Sequence, residues 1–276
     1  MAEPITFTPA SSLSLEALAE LFTRSFEAYF YPGVTTPAIL ARRVAAEDID
    51  LVRSVVLTVG GQPAGVALLA RRGARAWCAG FGVAMAHRGR GLAHALAAEL
   101  IRQAREAGAR ALTLEVLTRN TAALRVYEAA GLTIRRRLLV LAWRPGDEGR
   151  PEAAPLEELP PDELVLGHFA ALHPAPAAWQ REPAALLALP DLRGLALGEG
   201  GALAAYALVS GDETGLRLAD LGARDEPAAR RLLAALQARA ASLTSVNEPA
   251  ESPLTPAFLR SGFVVADEQH ELRCEL

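Results

Sequence analysis

Along the first half of the chain, apolar residues switch repeatedly between a period near 3.6 and a period near two. Ile5-Thr-Phe7 alternates as a short strand. Leu15, Leu18, Leu21, Phe22 and Phe26 share one helical face behind Ser12 or Ser14 as N-cap. The segment Tyr29-Phe-Tyr-Pro-Gly33 breaks that helix, and a second runs from about Thr36 to Ala46. Strand patterns follow at Leu51–Val59, Ala64–Ala70 and Ala76–Ala84, the first two closed by the turn signals Gly60-Gly61 and Arg71-Arg-Gly73. An Ala/Leu-rich helix from Gly91 to Ala107 stops at Gly108. A strand at Ala111–Leu117, a helix from Thr121 to Ala130 stopped by Gly131, and a strand region from Leu132 to Trp143 complete the half.

Residues 145–162 are rich in Pro, Gly and acids, which is linker composition. The order then repeats. A helix is expected at Leu164–Leu172, strands at Ala202–Ser210 and Leu216–Leu221, and an Ala/Leu/Arg helix at Ala228–Ala241. A strand at Leu243–Val246, a short helix at Thr255–Ser261 stopped by Gly262, and a strand from Phe263 onward follow. Two α/β series in similar order imply an internal duplication. The expected domains are residues 1–145 and 163–276, joined by a linker at 146–162.

Composition narrows the chemistry. All 28 basic residues are arginines, so neither a P-loop lysine nor a Schiff-base lysine is available. The net charge of −4 gives no electrostatic reason to expect nucleic acid or an anionic membrane as partner. Cys78 and Cys274 stand far apart, and the five histidines lack ligand spacing, so no disulfide framework and no metal are expected. No apolar run is long enough to span a bilayer, and Met1-Ala-Glu-Pro4 lacks the features of a secretory signal. The expectation is a cytoplasmic protein.

The segment Val83-Ala-Met-Ala-His-Arg-Gly-Arg-Gly-Leu-Ala93 runs a strand into a glycine-rich turn that opens a helix. Backbone N–H groups at a helix N-terminus form an anion site, and Gly89 and Gly91 let the backbone approach a phosphate closely. Arg88 and Arg90 add positive charge. Taken alone, the turn also suits an ordinary helix start. A dinucleotide fingerprint would need a glycine where His94 stands.

Arg88-x-x-Gly91-x-Ala93 resembles the R/Q-x-x-G-x-G/A signature of the GNAT acetyltransferase superfamily. Leu114-Glu-Val-Leu-Thr-Arg-Asn120, followed by Ala123, Tyr127 and Gly131-Leu132, is similar to that family's second signature. Met85 and Leu132 depart from it, where proline and phenylalanine are usual. The resemblance implies an α/β (α+β) fold with a mixed central sheet, splayed between its fourth and fifth strands and flanked by helices. It implies that acetyl-CoA enters the gap, its pyrophosphate on the amides of Arg88, Gly89, Arg90, Gly91, Leu92 and Ala93, and its pantetheine along Phe81, Gly82 and Val83. Asn120 would tie the nearby loop and helix, or cap the helix. The reaction implied is direct attack of a primary amine on the thioester. Tyr127 is the expected acid. Glu115, in the manner of the ribosomal-protein alanine acetyltransferase branch, or a water is the expected base.

Phe26, Tyr29, Phe30 and Tyr31 are expected at the acceptor site, where a small-molecule or peptide amine would bind. In the second half, aligning the long helices sets Arg224 opposite Arg88 and Pro227 opposite Gly91. Aligning Gly262 on Gly131 sets Phe258 opposite Tyr127. Proline removes an amide and phenylalanine a hydroxyl, so the second half reads as a degenerate GNAT-like copy. It would serve as an internal dimer partner in a monomer, with a homodimer as the other arrangement. A non-catalytic acyl-CoA-binding or interaction protein on the same fold is the alternative function, and a longer acyl chain is open.

Overall fold

The computed structural model describes residues 3–31, 33–146 and 154–276. The chain divides into two compact units. The first comprises Met1–Arg135 with Glu271–Leu276, and the second Arg136–His270. The division falls inside the last strand of the first half, not in the Pro/Gly-rich stretch after it. Of that stretch, residues 147–153 lie outside the described residues. Part of the remainder is not linker, because Glu157–Leu159 forms a strand and a helix starts at Pro161.

In the first unit, β1 (Ile5–Pro9), β2 (Val55–Val59), β3 (Gln62–Arg72), β4 (Arg75–Val83) and β5 (Ala111–Leu117) lie side by side in that order. The first four are antiparallel neighbours. β4 and β5 are parallel, as the long helix between them requires, and pair only from Arg75↔Ala111 to Trp77↔Thr113. Beyond that they separate, so the sheet is mixed and splayed.

Helices α1 (Leu15–Ser25) and α2 (Pro37–Ala46) are capped by the Ser14 and Thr36 side chains. α1 packs on β4 where glycine leaves room. A Cβ at Gly80 would sit 2.6 Å from Phe22, and one at Gly82 would sit 2.9 Å from Ser25. The other core of the unit joins Ala76, Cys78, Val83, Leu114 and Val116 to α3 (Leu92–Glu106) and to α4 (Thr121–Ala129). The expected strand from Leu51 begins only at Val55. Asp50 Oδ1 accepts from the N–H groups of Val52 and Arg53 at 3.0 and 3.1 Å, folding that stretch into a turn first.

The second unit holds β6 (Thr133–Trp143), β7 (Glu157–Leu159), β8 (Arg193–Glu199), β9 (Ala202–Asp212), β10 (Gly215–Ala223), β11 (Leu243–Pro249) and the start of β12 (Val264–Glu275). Their order is β12-β6-β11-β10-β9-β8-β7. The helices are α5 (Pro161–Leu172), α6 (Pro183–Ala188), α7 (Glu226–Gln237) and α8 (Thr255–Arg260). Strand β8 had no clear alternating signal in the sequence.

The duplication is visible in the register. Leu68 pairs Gly80 and Leu69 pairs Cys78, leaving Ala79 as a bulge. Leu208 pairs Asp220 and Val209 pairs Leu218, leaving Ala219 as a bulge. β10 and β11 also pair only briefly, from Leu216↔Leu243 to Leu218↔Ser245.

The sixth strand position is exchanged. β6 follows the first half in sequence but pairs with β11, from Leu243↔Trp143 onward. The chain's last residues take the place beside β5, where Leu276 N–H donates to the Arg110 carbonyl. Leu272 is fully buried in the first unit's core.

Candidate functional site

The turn before α3 leaves its backbone open. Gly89 and Gly91 have φ of +75° and +76°, the left-handed region where side chains are strained. An ideal Cβ at either would meet nothing within 4 Å. α3 starts at Gly91 with no side-chain cap and no acidic residue in its first turn. By contrast α1, α2, α4 and α7 each have a side-chain oxygen on their first-turn amides. Among the described residues no side chain caps these first-turn amides, which the helix dipole backs.

Arg88 does not use its guanidinium as a free cation. Nε donates to the Val83 carbonyl at 2.9 Å, and Nη2 donates to the Ser25 and Glu27 carbonyls at 3.0 Å each. It ties the glycine turn to the end of β4 and to the end of α1. Arg90 pairs with Glu3 at 3.4 Å on the surface. Asn120 accepts from Ala123 N–H at 3.2 Å and caps α4.

Tyr127 and Phe81 meet at the gap between β4 and β5, edge to face, with ring centroids 5.4 Å apart. Burial first, then the nearby Cys78 and Tyr29, push the Tyr127 phenol well above its ordinary value. It holds its proton at neutral pH. Cys78, also buried, is pushed up to about 12, mainly by burial and further by Glu115, against a lowering hydrogen bond with Gly80. Such a thiol is no nucleophile at neutral pH.

Glu115 lies on β5 with its side chain opposite Leu114 and Val116, as strand alternation predicts. Its Oε2 accepts from Trp77 Nε1 at 2.7 Å. Tyr127 shares the core of Leu114 and Val116, so the two groups approach the gap from opposite faces of the sheet.

The aromatic segment after α1 is a connected strip. Phe22 stacks on Phe26 at 4.5 Å, and Phe26–Tyr29 and Tyr29–Phe30 are edge contacts at 5.3 Å. Phe30 and Tyr31 are exposed, and Arg119 lies over both rings at 4.7 and 5.6 Å. Arg119 immediately precedes Asn120, so the strip reaches the β5–α4 turn.

The sequence reading missed Arg43. Its Nη2 donates to the Ala79 bulge carbonyl at 2.5 Å, and its guanidinium pairs with Glu47 at 2.8 Å. An arginine on an amphipathic helix has no local mark of such a role.

In the second unit the equivalent positions differ. Arg224 N–H donates to the Ala204 carbonyl in the register in which Ala84 N–H donates to Ala64. Arg224 therefore stands in the place of Ala84, correcting its alignment with Arg88. The N-cap follows at once as Asp225, whereas in the first unit Met85–Arg90 intervene before Gly91. Asp225 Oδ1 accepts from Ala228 N–H at 2.8 Å, and Glu226 and Pro227 fill the first turn of α7. Beyond the β10–β11 pairing, Arg181 bridges the two strands through Asp220 at 3.4 Å and through Glu248. All three are buried. His173 Nε2 and the Tyr206 hydroxyl also donate to Asp220, at 3.0 and 2.9 Å. Burial alone would raise the Asp220 carboxyl, but the hydrogen bond from His173 and the charges of His173 and Arg181 hold it below its ordinary value.

Residues 15–132 match the family model described as the acetyltransferase (GNAT) family. Among solved structures, a tandem GNAT protein from the clavulanic acid biosynthesis pathway is 16% identical, with a TM-score of 0.70, over 99% of this chain and 98% of that one. A GCN5-related N-acetyltransferase from Sphaerobacter thermophilus is 18% identical, with a TM-score of 0.70, over 98% and 95%. A putative acetyltransferase from Pyrococcus horikoshii is 14% identical, with a TM-score of 0.65, over 100% and 90%. No curated protein matches the sequence. The match to the GNAT family thus covers residues 15–132, and the chain as a whole shares its fold with these solved structures. No helix among the described residues is long and apolar enough to cross a membrane.

Proposed function

We propose that this protein is an acetyl-CoA-dependent N-acetyltransferase with one active site, in the first unit, acting on a primary amine. The observation that carries the reading is the uncapped, acid-free start of α3 behind two left-handed glycines, beside strands that part after Trp77. A pyrophosphate fits it. The cradle is open to the approach of a ligand, and the amides of Arg88 to Ala93 would hold the phosphates. The strand end Phe81-Gly82-Val83 would align the pantetheine arm, with Arg88 and Asn120 keeping turn and helix in place.

Acetyl-CoA supplies the acetyl group as a thioester. The chain's own residues move the protons. Glu115, or a water, takes a proton from the acceptor ammonium so that nitrogen can form the new C–N bond. A β4 amide near Val83 donates to the carbonyl oxygen as it gains charge. Tyr127, protonated across the neutral range, gives its proton to the sulfur as the C–S bond breaks, and regains one as the new amide nitrogen sheds its second proton through solvent. Phe26, Tyr29, Phe30 and Tyr31 would line the acceptor's path.

The second unit is read as a copy that has lost the cofactor. It lacks the residues of the glycine turn, and a carboxylate already sits on the α7 amides. Arg181 bridges the strands where a pantetheine arm would lie. Titration of the intact protein with acetyl-CoA by calorimetry, paired with turnover on a panel of amines, tests the reading. One site per chain and transfer to an amine are expected. Two sites would overturn the degenerate second unit, binding without transfer would favour the non-catalytic reading, and no binding would overturn the whole.

A further inference from the structure

Ala79 is the bulged residue of β4, so β3 offers it no register partner, and it lies two residues past Trp77, the last residue of β4 paired with β5. Its carbonyl therefore sits at the closed end of the gap. Arg43 Nη2 donates to it at 2.5 Å. Glu47, one helical turn on, takes Nε at 3.1 Å and Nη2 at 2.8 Å, and the guanidinium carbon lies 5.3 Å from the Phe22 ring centroid. The arginine is thus held on three sides.

Two charges bear on the Cys78 thiol next to the bulge, Glu115 raising it and Arg43 lowering it.

We infer that Arg43 is a positioning residue for acetyl transfer, holding the β4 bulge carbonyl at the closed end of the gap. This rests on the proposed function. A guanidinium fixed by Glu47 holds the bulge, and with it the β4 strand end whose amide near Val83 would meet the thioester oxygen. The cofactor's phosphates bind at α3, away from this contact, so transfer and affinity should part company.

The test is steady-state kinetics and acetyl-CoA calorimetry on wild type, Arg43→Gln, Arg43→Lys and Glu47→Gln, with thermal melting as a fold control. Arg43→Gln should lower kcat about tenfold, with the acetyl-CoA Kd within about twofold of wild type. Arg43→Lys should recover part of the loss, because an ammonium can still donate to the carbonyl. Glu47→Gln should fall between lysine and wild type. A folded Arg43→Gln variant with unchanged kcat, or a loss seen only as weaker acetyl-CoA binding, overturns the inference. A wild type that binds no acetyl-CoA overturns the functional reading and this inference with it.

Discussion

The Tyr127 ring stands edge-on to Phe81 across the opening between β4 and β5, with centroids 5.4 Å apart. Because the ring is buried in the core, Phe can replace it without a cavity. Tyr127→Phe should leave the acetyl-CoA Kd and Tm close to wild type and lower kcat by about 10²-fold or more. A variant with wild-type kcat removes Tyr127 as the acid. Since burial raises the phenol, an alkaline decline of kcat below pH 10 would have to come from another group.

Gly91 bears on binding. At φ +76°, alanine at this position strains the backbone by about 1 kcal/mol or more and places a methyl in the open cradle. Gly91→Ala should weaken acetyl-CoA about tenfold by calorimetry, while kcat at saturation changes little.

The Asp220–Arg181–Glu248 group sets the acid stability of the second unit. The folded Asp220 carboxyl lies below its unfolded value, so its contribution is present above about pH 4. It disappears as pH falls through the folded value. Asp220→Ala leaves Arg181 buried with only Glu248 and should cost about 3–5 kcal/mol at pH 7, read by denaturant unfolding. The difference from wild type should narrow below pH 4.

The last six residues belong to the first unit's fold. Deleting Glu271–Leu276 removes Leu272 from the core and the Leu276–Arg110 bond. Even Leu272→Ala should cost about 2–5 kcal/mol. Limited proteolysis of the truncated chain should cut first within residues 1–135.

Removing the α7 cap separates two explanations for the second unit's loss. Asp225→Ala should destabilise α7 by about 1 kcal/mol and still yield one acetyl-CoA site per chain, because the glycine turn is missing there. A second site in that variant would mean that the carboxylate alone had closed it.

Local chemistry carries local structure, so much of this protein is readable in one dimension. The Gly91 helix start, the Asn120 cap, the stops at Gly108 and Gly131, and the placing of Glu115 opposite Leu114 and Val116 all follow from φ preference, capping and strand period. The tandem order of elements and the two signatures were legible for the same reason. Three things were decided only in the folded chain. The exchange of the sixth strand position depends on which sheet edge each strand meets, and apolar alternation alone does not specify a partner. The Ala219 bulge shifts register by one residue without a glycine or proline beside it, and Gly80 beside the Ala79 bulge does not fix which residue bulges. The roles of Arg43, Arg88 and Arg181 depend on which carbonyl or carboxylate comes within 4 Å, and that is set by packing between elements tens of residues apart.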